Sequence, residues 1–285
     1  MLRGFSRHWR PLAQLQAARR VATNAGSADR VALIQGSSRG LGLEYVRQLL
    51  SRSGQRVVGT CRTPEHATEL QQLAKTSGGR LTIVRLDVTD EQTIQAAAEE
   101  VAEQHEHLDL LINVTGILHI PDKISPETAL SRVTPEALDM VFKTNAFGPI
   151  LTAKAFASLL EKAEKRSGAS SERPAVIANM SARVGSLADN RLGGWYSYRA
   201  SKTALNQLTK CMSLEFARKH RKIASILLHP GTVDTGLSEP YQKNVQPEKL
   251  FNRERAVQQL LSIIDSTSMK DNGRYIAWDG QDIPW

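Results

Sequence analysis

Short strand-like runs alternate with longer helical patterns along most of the chain, and this alternation limits the possible folds more than any other feature. The runs are rich in Val, Ile and Leu, and several are almost continuously apolar, as expected of parallel strands buried on both faces. The predicted strands cover 30–36, 55–61, 80–88, 108–114, 174–180, 222–230 and 273–278. The predicted helices cover 41–52, 65–76, 90–106, 134–163, 196–219 and 253–266.

This order of elements predicts one α/β domain. Alternating strands and helices form βαβ units, which build a parallel sheet with helices on both faces. We therefore predict a single Rossmann-type domain over 29–285, with a doubly wound, seven-stranded parallel sheet. No internal repeat or Pro- or Gly-rich linker divides it, and the most loop-like interior stretch is 164–174.

The first 28 residues differ in composition from the rest. They contain no acid, and their five arginines reduce the formal charge of +8 to about +3 for the remainder, a common balance for an enzyme. Together with apolar residues at loosely helical spacing, this composition resembles an organellar transit peptide. We expect residues 1–28 to direct the protein to mitochondria, with a chloroplast as the alternative and the cytoplasm if the segment does not target. The arginines are Arg3, Arg7, Arg10, Arg19 and Arg20.

Several kinds of protein are disfavoured by composition. The two cysteines, Cys61 and Cys211, are too few for a disulfide framework or a zinc cluster. No run approaches the roughly 20 apolar residues of a membrane span, and an aromatic content of 5% argues against a stacking platform for nucleic acid. We expect no metal site, no nucleic-acid partner and no stable membrane insertion.

A glycine-rich turn follows the first predicted strand and opens the first helix. Gly36, Gly40 and Gly42 give the spacing G-x-x-x-G-x-G. Glycines permit a tight turn and let a pyrophosphate approach the backbone, while the helix N-terminus supplies N–H donors and positive partial charge. The turn therefore predicts a dinucleotide site.

A tyrosine and a lysine are placed for proton transfer. Tyr198 and Lys202 are four residues apart, on the same face of a predicted helix. A free phenol has a pKa near 10, and a fixed ammonium nearby is expected to lower it toward the working range. Tyr198 could then protonate a carbonyl oxygen or deprotonate an alcohol. Tyr196 cannot do the same, because Ala200 occupies its i+4 position.

The glycine spacing and the Tyr-x-x-x-Lys pair resemble the single-domain branch of the short-chain dehydrogenase/reductase family, over residues 30–278. The segments NMS, ARVGSLADNRLGGWYS and YRASKTALN are similar to its sniffer and C-factor-like carbonyl reductases. Gln35 replaces the family's usual threonine, and Val114-Thr115 departs from its Asn-Asn-Ala-Gly segment. The resemblance implies hydride transfer between NADP(H) and a small carbonyl or alcohol, by a homodimer or homotetramer.

The same resemblance implies a cofactor site that several loops share. Asp87 would hydrogen-bond the adenine amino group beside a backbone contact from Val88. Val233 and Thr235 would meet the nicotinamide carboxamide, and Lys202 would reach the nicotinamide ribose. The other implied contacts are Gly36, Ser38, Arg39, Gly40, Leu41, Gly42, Arg62, Asn113, Gly116, Tyr198, Pro230 and Gly231.

The end of the second strand decides between the two nicotinamide cofactors. An acid there would bind the adenosine 2′-hydroxyl of NAD, but this chain has Cys61 followed by Arg62, with Arg39 inside the glycine turn. Guanidinium groups form short, charge-assisted hydrogen bonds to phosphate oxygens. We therefore predict NADP(H) rather than NAD(H).

Two further catalytic residues follow from the resemblance. Asn145 matches an asparagine that anchors a relay water. The serine that polarises the carbonyl usually lies three residues before a glycine, but counting back from Gly185 gives Ala182. Ser181 is one position early and Ser186 lies beyond the glycine, and a shift of one residue along a strand turns the side chain to the other face. Ser181, Ser186 or neither could act here, and we select Ser181.

Two functions remain in competition. The set of Tyr198, Lys202 and Asn145 favours an NADP(H)-dependent oxidoreductase, whose substrate lid would be the mixed polar and aromatic segment 236–251. Ala182 and the altered Val114-Thr115 segment favour the alternative, an NADP(H)-binding sensor or scaffold of low activity.

Overall fold

The computed structural model describes residues 30–166 and 173–285, so the predicted transit peptide, residues 1–28, lies outside the described residues. The strands are β1 (Arg30–Gln35), β2 (Gln55–Cys61), β3 (Leu81–Arg85), β4 (Leu110–Asn113), β5 (Ala175–Met180), β6 (Ile223–His229), β7 (Thr232–Val233), β8 (Leu250–Phe251) and β9 (Tyr275–Ala277). The helices are α1 (Gly40–Leu50), α2 (Thr68–Thr76), α3 (Glu91–Gln104), α4 (Pro135–Phe142), α5 (Gly148–Arg166), α6 (Tyr196–Arg218) and α7 (Arg253–Ser266).

The predicted seven-stranded parallel sheet is confirmed. Its strand order is β3-β2-β1-β4-β5-β6-β9, while β7 and β8 form a separate small pair. The strand order reverses between β1 and β4, and ligands of such sheets bind outside the carboxyl ends of the strands at that reversal. The loops after β1, β4, β5 and β6 therefore supply the residues of any ligand site.

Each face of the sheet has its own apolar core. In β5, Val176, Ala178 and Met180 pack with side chains of α1 and α7, whereas Ala175 and Ile177 pack with α3, α5 and α6. Burial on both faces explains why the sequence of this strand is apolar at nearly every position. The two cores hold the carboxyl ends of the central strands in fixed positions.

The predicted helix 134–163 is interrupted. A five-residue π-helical turn, Lys143–Phe147, separates α4 from α5. Pro149 has no N–H and so cannot donate an i→i−4 hydrogen bond to the carbonyl of Asn145, which gives a physical reason for the break. Asn145 therefore lies in a turn that departs from α-helical geometry. Such turns are frequent at functional sites.

Neither a membrane-spanning helix nor a metal-binding cluster occurs in the described parts of the chain. Within residues 30–166 and 173–285, no helix has the length and apolar character that a membrane crossing requires. In the same residues, no group of three or more His, Cys, Asp and Glu side chains could hold a metal ion.

Candidate active site

The glycine turn has the geometry of a phosphate cradle. Gly36 and Gly40 have φ angles of 87° and 59°, in the left-handed region that favours glycine. A Cβ at residue 42 would overlap the carbonyl oxygen of Gly36, so the close packing of α1 on the turn requires glycine there. Arg39 precedes α1 without a side-chain cap, and the first turn of α1 contains no acid. Its N–H groups thus suit a pyrophosphate.

Gln35 and Thr115, which both depart from the family pattern, contact each other beneath this turn. The side-chain amide of Gln35 donates to Thr115 Oγ1 at 2.5 Å, and the backbone N–H of Thr115 donates to Gln35 Oε1 at 3.2 Å. A Cβ at residue 36 would overlap the Thr115 hydroxyl. The two-way contact ties the loop after β4 to the end of β1.

The two arginines predicted to select NADP(H) are exposed beside the cradle. Arg39 lies at the start of α1 and Arg62 directly follows β2. Neither guanidinium forms an ion pair with another described residue. Cys61, in contrast, is buried at 5% exposure. This corner therefore offers cationic side chains and no carboxylate at the position next to the strand, which fits a 2′-phosphate.

The predicted adenine contacts follow β3, whose end at Arg85 leaves Asp87 in a loop. Asp87 Oδ1 accepts hydrogen bonds from the N–H and hydroxyl of Thr89, at 2.9 and 2.7 Å. Val88 is buried against Gly148, where a Cβ would lie 2.5 Å from the Val88 Cβ. These contacts fix the loop, and the adenine contact stays a prediction.

Asn113 lies beneath the site in a chain of buried amides. Its Nδ2 donates to Asn179 Oδ1 at 2.7 Å, and Asn179 Nδ2 donates to Thr209 Oγ1 at 2.8 Å. The chain joins β4, β5 and α6, and Asn113 is 1% exposed. This placement gives Asn113 a role in aligning the elements. Its predicted contact with the cofactor remains a prediction.

The turn after β6 places the remaining residues that are predicted to contact the cofactor next to the glycine turn. Thr235 Cγ2 lies 3.8 Å from the position of a Cβ on Gly40, and Val233 packs with Leu41. Gly231, after Pro230, has a φ of 77°, and a Cβ there would lie 2.7 Å from the ring of Phe251. The predicted cofactor contacts from opposite ends of the chain therefore meet at one edge of the sheet.

Tyr198 and Lys202 share the buried face of α6, as predicted from their spacing. Lys202 Nζ donates to the carbonyl of Met180 at 2.9 Å and lies 5.7 Å from the centre of the Tyr198 ring. A Cβ on Gly116 would lie 3.4 Å from Lys202 Nζ and 3.5 Å from Asn145 Oδ1. The geometry thus brings Gly116, Asn145, Tyr198 and Lys202 together.

The pKa values of this pair differ from the expectation drawn from the sequence. Burial raises the pKa of the Tyr198 phenol well above its ordinary value of 10, and the nearby Tyr275 raises it further. Burial also lowers the pKa of Lys202 to about 8. The expected lowering of the Tyr198 pKa by Lys202 is therefore wrong for this arrangement, because the loss of hydration on burial disfavours the charged phenolate.

The lowered pKa of Lys202 predicts how the stability of the folded protein depends on pH. Below about pH 8 the folded protein carries Lys202 as a buried ammonium. Between pH 8 and 10.5, the ordinary pKa of lysine, Lys202 binds a proton in the unfolded chain but not in the folded protein. Stability therefore rises with pH in this window. At pH 7 we expect Lys202→Met to be the more stable protein by up to about 3 kcal/mol, since one pKa unit corresponds to about 1.4 kcal/mol.

Urea unfolding of both proteins between pH 7 and pH 10 measures this difference. The advantage of Lys202→Met should shrink as the pH passes 8. Parallel pH profiles for the two proteins would contradict the burial of a charged Lys202.

Asn145 is fully buried in the π-helical turn. Its Oδ1 accepts from the N–H of Ile117 at 2.8 Å, and its Nδ2 donates to the Ile117 carbonyl at 2.8 Å and to Ser201 Oγ at 3.1 Å. One amide hydrogen therefore holds the loop after β4, and the other contacts α6. A relay role would depend on the main-chain carbonyl, which Pro149 cannot bond.

The two candidate serines occupy different environments. Ser181 is 2% exposed, and its hydroxyl donates to Asn206 Oδ1 at 2.6 Å. Asn206 lies eight residues after Tyr198, about 12 Å further along α6. Ser186 Oγ accepts from the N–H of Asp189 at 3.1 Å and lines a surface cavity of about 250 Å³ beside another face of α6. Ser186 therefore does not face Tyr198, and the Ser181 hydroxyl is directed toward Asn206.

The sequence did not reveal Tyr275 as a neighbour of this site. Tyr275, on β9, is 2% exposed, and its hydroxyl donates to the carbonyl of Ala182. Its pKa is raised by burial to about 12, with opposing hydrogen bonds to Ser181 and Asn206. The segment GRYIAW indicated a strand, but no motif showed that its tyrosine reaches the end of β5.

Sequence reasoning also missed a series of aromatic ring contacts that begins at Tyr198. The ring of Trp195 lies 6.2 Å from Tyr198 and 5.1 Å from Tyr241, and the ring of His119 lies 6.2 Å from Tyr241. His119 follows β4, Trp195 precedes α6, and Tyr241 belongs to the segment predicted as a substrate lid. The only signal in the sequence was the presence of Tyr241 in that segment.

Known proteins resemble this chain over most of its length. The family model for short chain dehydrogenases matches residues 30–246. An uncharacterised oxidoreductase of Schizosaccharomyces pombe is 33% identical over 269 residues, which cover 91% of this chain and 99% of the yeast protein. The NADPH-bound carbonyl reductase from chicken fatty liver is 34% identical, with a TM-score of 0.81 over 91% of this chain and 96% of that one. The Drosophila melanogaster carbonyl reductase Sniffer is 30% identical, with a TM-score of 0.80 over 91% and 100% of the two chains.

Proposed function

We propose that this chain, which belongs to the short-chain dehydrogenase/reductase family, is an NADP(H)-dependent reductase of a small carbonyl compound. The observation that carries the proposal is the meeting of Tyr198, Lys202, Asn145 and Gly116 at the same edge of the sheet as the glycine cradle. A site that only bound a dinucleotide would not need a buried phenol beside a buried ammonium. Two solved relatives are described as carbonyl reductases, and one of them contains NADPH.

NADP(H) fits the residues around the cradle. The first turn of α1 and the left-handed glycines would hold the pyrophosphate, and Arg39 and Arg62 would hold the 2′-phosphate. Lys202 would hydrogen-bond the nicotinamide ribose, while Val233 and Thr235 would hold the carboxamide. When bound, NADPH supplies the hydride that reduces the carbonyl carbon.

Tyr198 supplies the proton in this proposal. Its raised pKa keeps the phenol protonated at neutral pH, and a protonated phenol is the form that donates to a carbonyl oxygen as negative charge develops there. Oxidation of an alcohol would need the phenolate, which burial disfavours. At neutral pH the resting site therefore holds Tyr198 in the protonation state that carbonyl reduction requires.

Proton resupply is assigned to Lys202 and Asn145. Lys202 is buried with a pKa of about 8, so it gives up a proton more readily than an ordinary lysine. The Asn145 main chain, in the π-helical turn beside Gly116, would hold the relay water that the family resemblance implies. The side chain of Asn145 keeps that turn docked on Ile117.

Ser181 remains our proposed donor to the substrate carbonyl. Ser186 lies beside a different face of α6, whereas Ser181 continues β5 and its N–H donates to Leu228. Rotation of the Asn206 amide would make Asn206 the donor in the 2.6 Å contact and leave the Ser181 hydroxyl hydrogen for the substrate.

Single serine substitutions test this assignment. We expect Ser181→Ala to lower kcat by about 10²–10³-fold, the usual effect of removing one oxyanion-type donor, and Ser186→Ala to leave kcat unchanged. Steady-state NADPH oxidation measures both variants, and thermal unfolding checks that each is folded. If Ser181→Ala keeps full activity, the site works without a serine donor.

The function itself is tested with the full chain. NADPH oxidation should be followed with aldehydes and diketones, beside direct titrations with NADPH and NADH. We expect turnover, with NADPH bound more tightly than NADH, and charge-removing changes at Arg39 and Arg62 should abolish that preference. Tight NADPH binding with no turnover on any carbonyl would instead support the alternative, a cofactor-binding sensor or scaffold.

We also propose a homo-oligomer that forms through α4, α5 and α6. Large apolar side chains are exposed on α4 (Met140), in the π-helical turn before α5 (Phe147) and on α6 (Leu214). Their burial between two copies would remove apolar surface from water. Sedimentation of the wild type and of Phe147→Glu tests this, because a monomeric wild type would contradict it.

Import into mitochondria remains a proposal based on residues 1–28. A fusion of these residues to a fluorescent protein should accumulate in mitochondria. Retention in the cytosol would contradict the proposal, and accumulation in chloroplasts of a plant cell would support the alternative destination.

A further inference from the structure

Residues 280–285 lie along the outer edge of the main sheet, beside β9, and we call them the edge segment. The N–H of Ala277 donates to the carbonyl of Gln281, and the N–H of Ile283 donates to the carbonyl of Tyr275, both at 2.8 Å. An antiparallel bridge lies between these two bonds. The edge segment therefore pairs with β9 and satisfies backbone groups that an edge strand would otherwise expose.

Side chains anchor the edge segment to the body of the protein. Ile283 is 2% exposed and belongs to an apolar cluster with Leu205 of α6. The ring of Trp285 lies 5.8 Å from the ring of Tyr275, and Lys210 Nζ lies 5.8 Å from the centre of the Trp285 ring. The segment is therefore packed on α6 as well as on β9.

The edge segment also contacts the loop after β5, residues 181–190, which we call the serine loop. The N–H of Ala188 donates to the main-chain oxygen of Trp285 at 2.9 Å. The hydroxyl of Tyr275, whose ring neighbours Trp285, donates to the carbonyl of Ala182. Both ends of the serine loop are thus tied to β9 and to the segment that covers it.

The Tyr275 hydroxyl belongs to a buried cluster that includes Ser181. Its one hydrogen is donated to Ala182, so in its hydrogen bonds with Ser181 and Asn206 it can only accept. Ser181 Oγ also lies 2.6 Å from Asn206 Oδ1. All three side chains of the cluster are buried. Removal of the Tyr275 hydroxyl would therefore change the hydrogen-bond partners of Ser181 directly.

The serine loop packs against the helix that carries Lys202. The N–H of Gly185 donates to the carbonyl of Ala182 at 2.8 Å, which closes the turn Arg183–Gly185. A Cβ at residue 185 would lie 2.8 Å from Lys202 Cβ. The Ala182 carbonyl, which Tyr275 holds, is therefore placed between Ser181 and the turn that touches Lys202.

We propose that Tyr275 is a positioning residue that acts on carbonyl reduction through Ser181, and that the edge segment holds Tyr275 and the serine loop in place. This inference rests on the proposed reductase function with Ser181 as the donor to the carbonyl. It goes further because it gives β9 and the edge segment a role in the reaction.

A double-mutant cycle tests whether Tyr275 acts through Ser181. We expect Tyr275→Phe to lower kcat by about 3–10-fold, the usual effect of one lost hydrogen bond, and to leave NADPH affinity unchanged. In the Ser181→Ala background the same change should alter kcat by less than about twofold, because effects of interacting residues are not additive. Equal factors in both backgrounds, or full activity in Tyr275→Phe, would overturn the role of Tyr275.

Hydrogen exchange of the full chain tests the edge segment without any need for turnover. Trp285→Ala removes the ring beside Tyr275, so we expect amide exchange in the serine loop to become about tenfold faster through local opening. Trp285→Phe keeps a flat ring and should restore the protection. Gln281→Ala, at an exposed position of the same segment, should exchange as the wild type does.

The two measurements separate this inference from the function on which it rests. Faster exchange confined to the serine loop of Trp285→Ala, with no carbonyl reduced even by the wild type, would count against the reductase proposal alone. Unchanged exchange in that loop would overturn the holding role of the edge segment. Faster exchange throughout the chain would also overturn it, because the effect would then be a general loss of stability.

Discussion

Replacing Tyr198 with phenylalanine is expected to lower kcat/KM by about 10²–10⁴-fold, the range that general acid catalysis contributes. The substitution removes only the hydroxyl of a side chain that is 7% exposed. The ring can keep its contacts with Trp195 and Lys202. NADPH oxidation with a carbonyl substrate measures the loss, and an NADPH titration should show nearly unchanged cofactor affinity.

The control for this change lies two residues earlier on the same helix. Tyr196 is 40% exposed and has no lysine on its face, so Tyr196→Phe should keep wild-type turnover. If Tyr198→Phe retained more than about a tenth of the wild-type kcat, the proton would have to come from another group, and the assignment of Tyr198 would fail.

Replacing Gly42 with alanine is expected to weaken NADPH binding by at least about 100-fold. The added Cβ would overlap the Gly36 carbonyl oxygen and lie 3.0 Å from Ser37 Cα. These are backbone atoms, so α1 must move away from the turn, and a displacement of the cradle removes several N–H contacts to the pyrophosphate together. Fluorescence titration with NADPH gives the affinity.

A second glycine provides the matched control. Gly79 has a φ of 79°, and a Cβ there would have no neighbour within 4 Å. Gly79→Asn should therefore bind NADPH as the wild type does, since Asn tolerates this conformation. Thermal unfolding of both variants separates a displaced cradle from a general loss of folding. Unchanged NADPH affinity in a folded Gly42→Ala variant would contradict the cofactor site.

Sequence patterns predicted the features that depend on local spacing. Tyr198 and Lys202 share a helix face because four residues complete about one turn, and the glycine turn was identified because it joins a strand to a helix. The predicted helix 134–163 missed the π-helical turn, since its apolar periodicity continues through Pro149. The effect of that proline on the Asn145 carbonyl depends on a single missing N–H.

Features that join distant segments could not be predicted. Trp195 and Glu127 are 68 positions apart in the numbering, and no pattern indicated that the N–H of Trp195 donates to the main-chain carbonyl of Glu127. The direction of the Tyr198 pKa was predicted wrongly because the spacing shows which charge is near but not how completely water is excluded. The serine register stayed open for a similar reason, since the end of β5 is set by its neighbours β4 and β6.

The contact between Gln35 and Thr115 has a consequence for how this chain can vary. Considered separately, each residue departs from the family pattern. A position-by-position comparison with that pattern therefore scores both as mismatches. In the structure they form a single unit, so their effects on stability should be non-additive. The two sites are therefore epistatic: a lineage that alters one must tolerate a mismatch beneath the phosphate cradle until the other changes, and only the paired state preserves the link between β1 and the loop after β4.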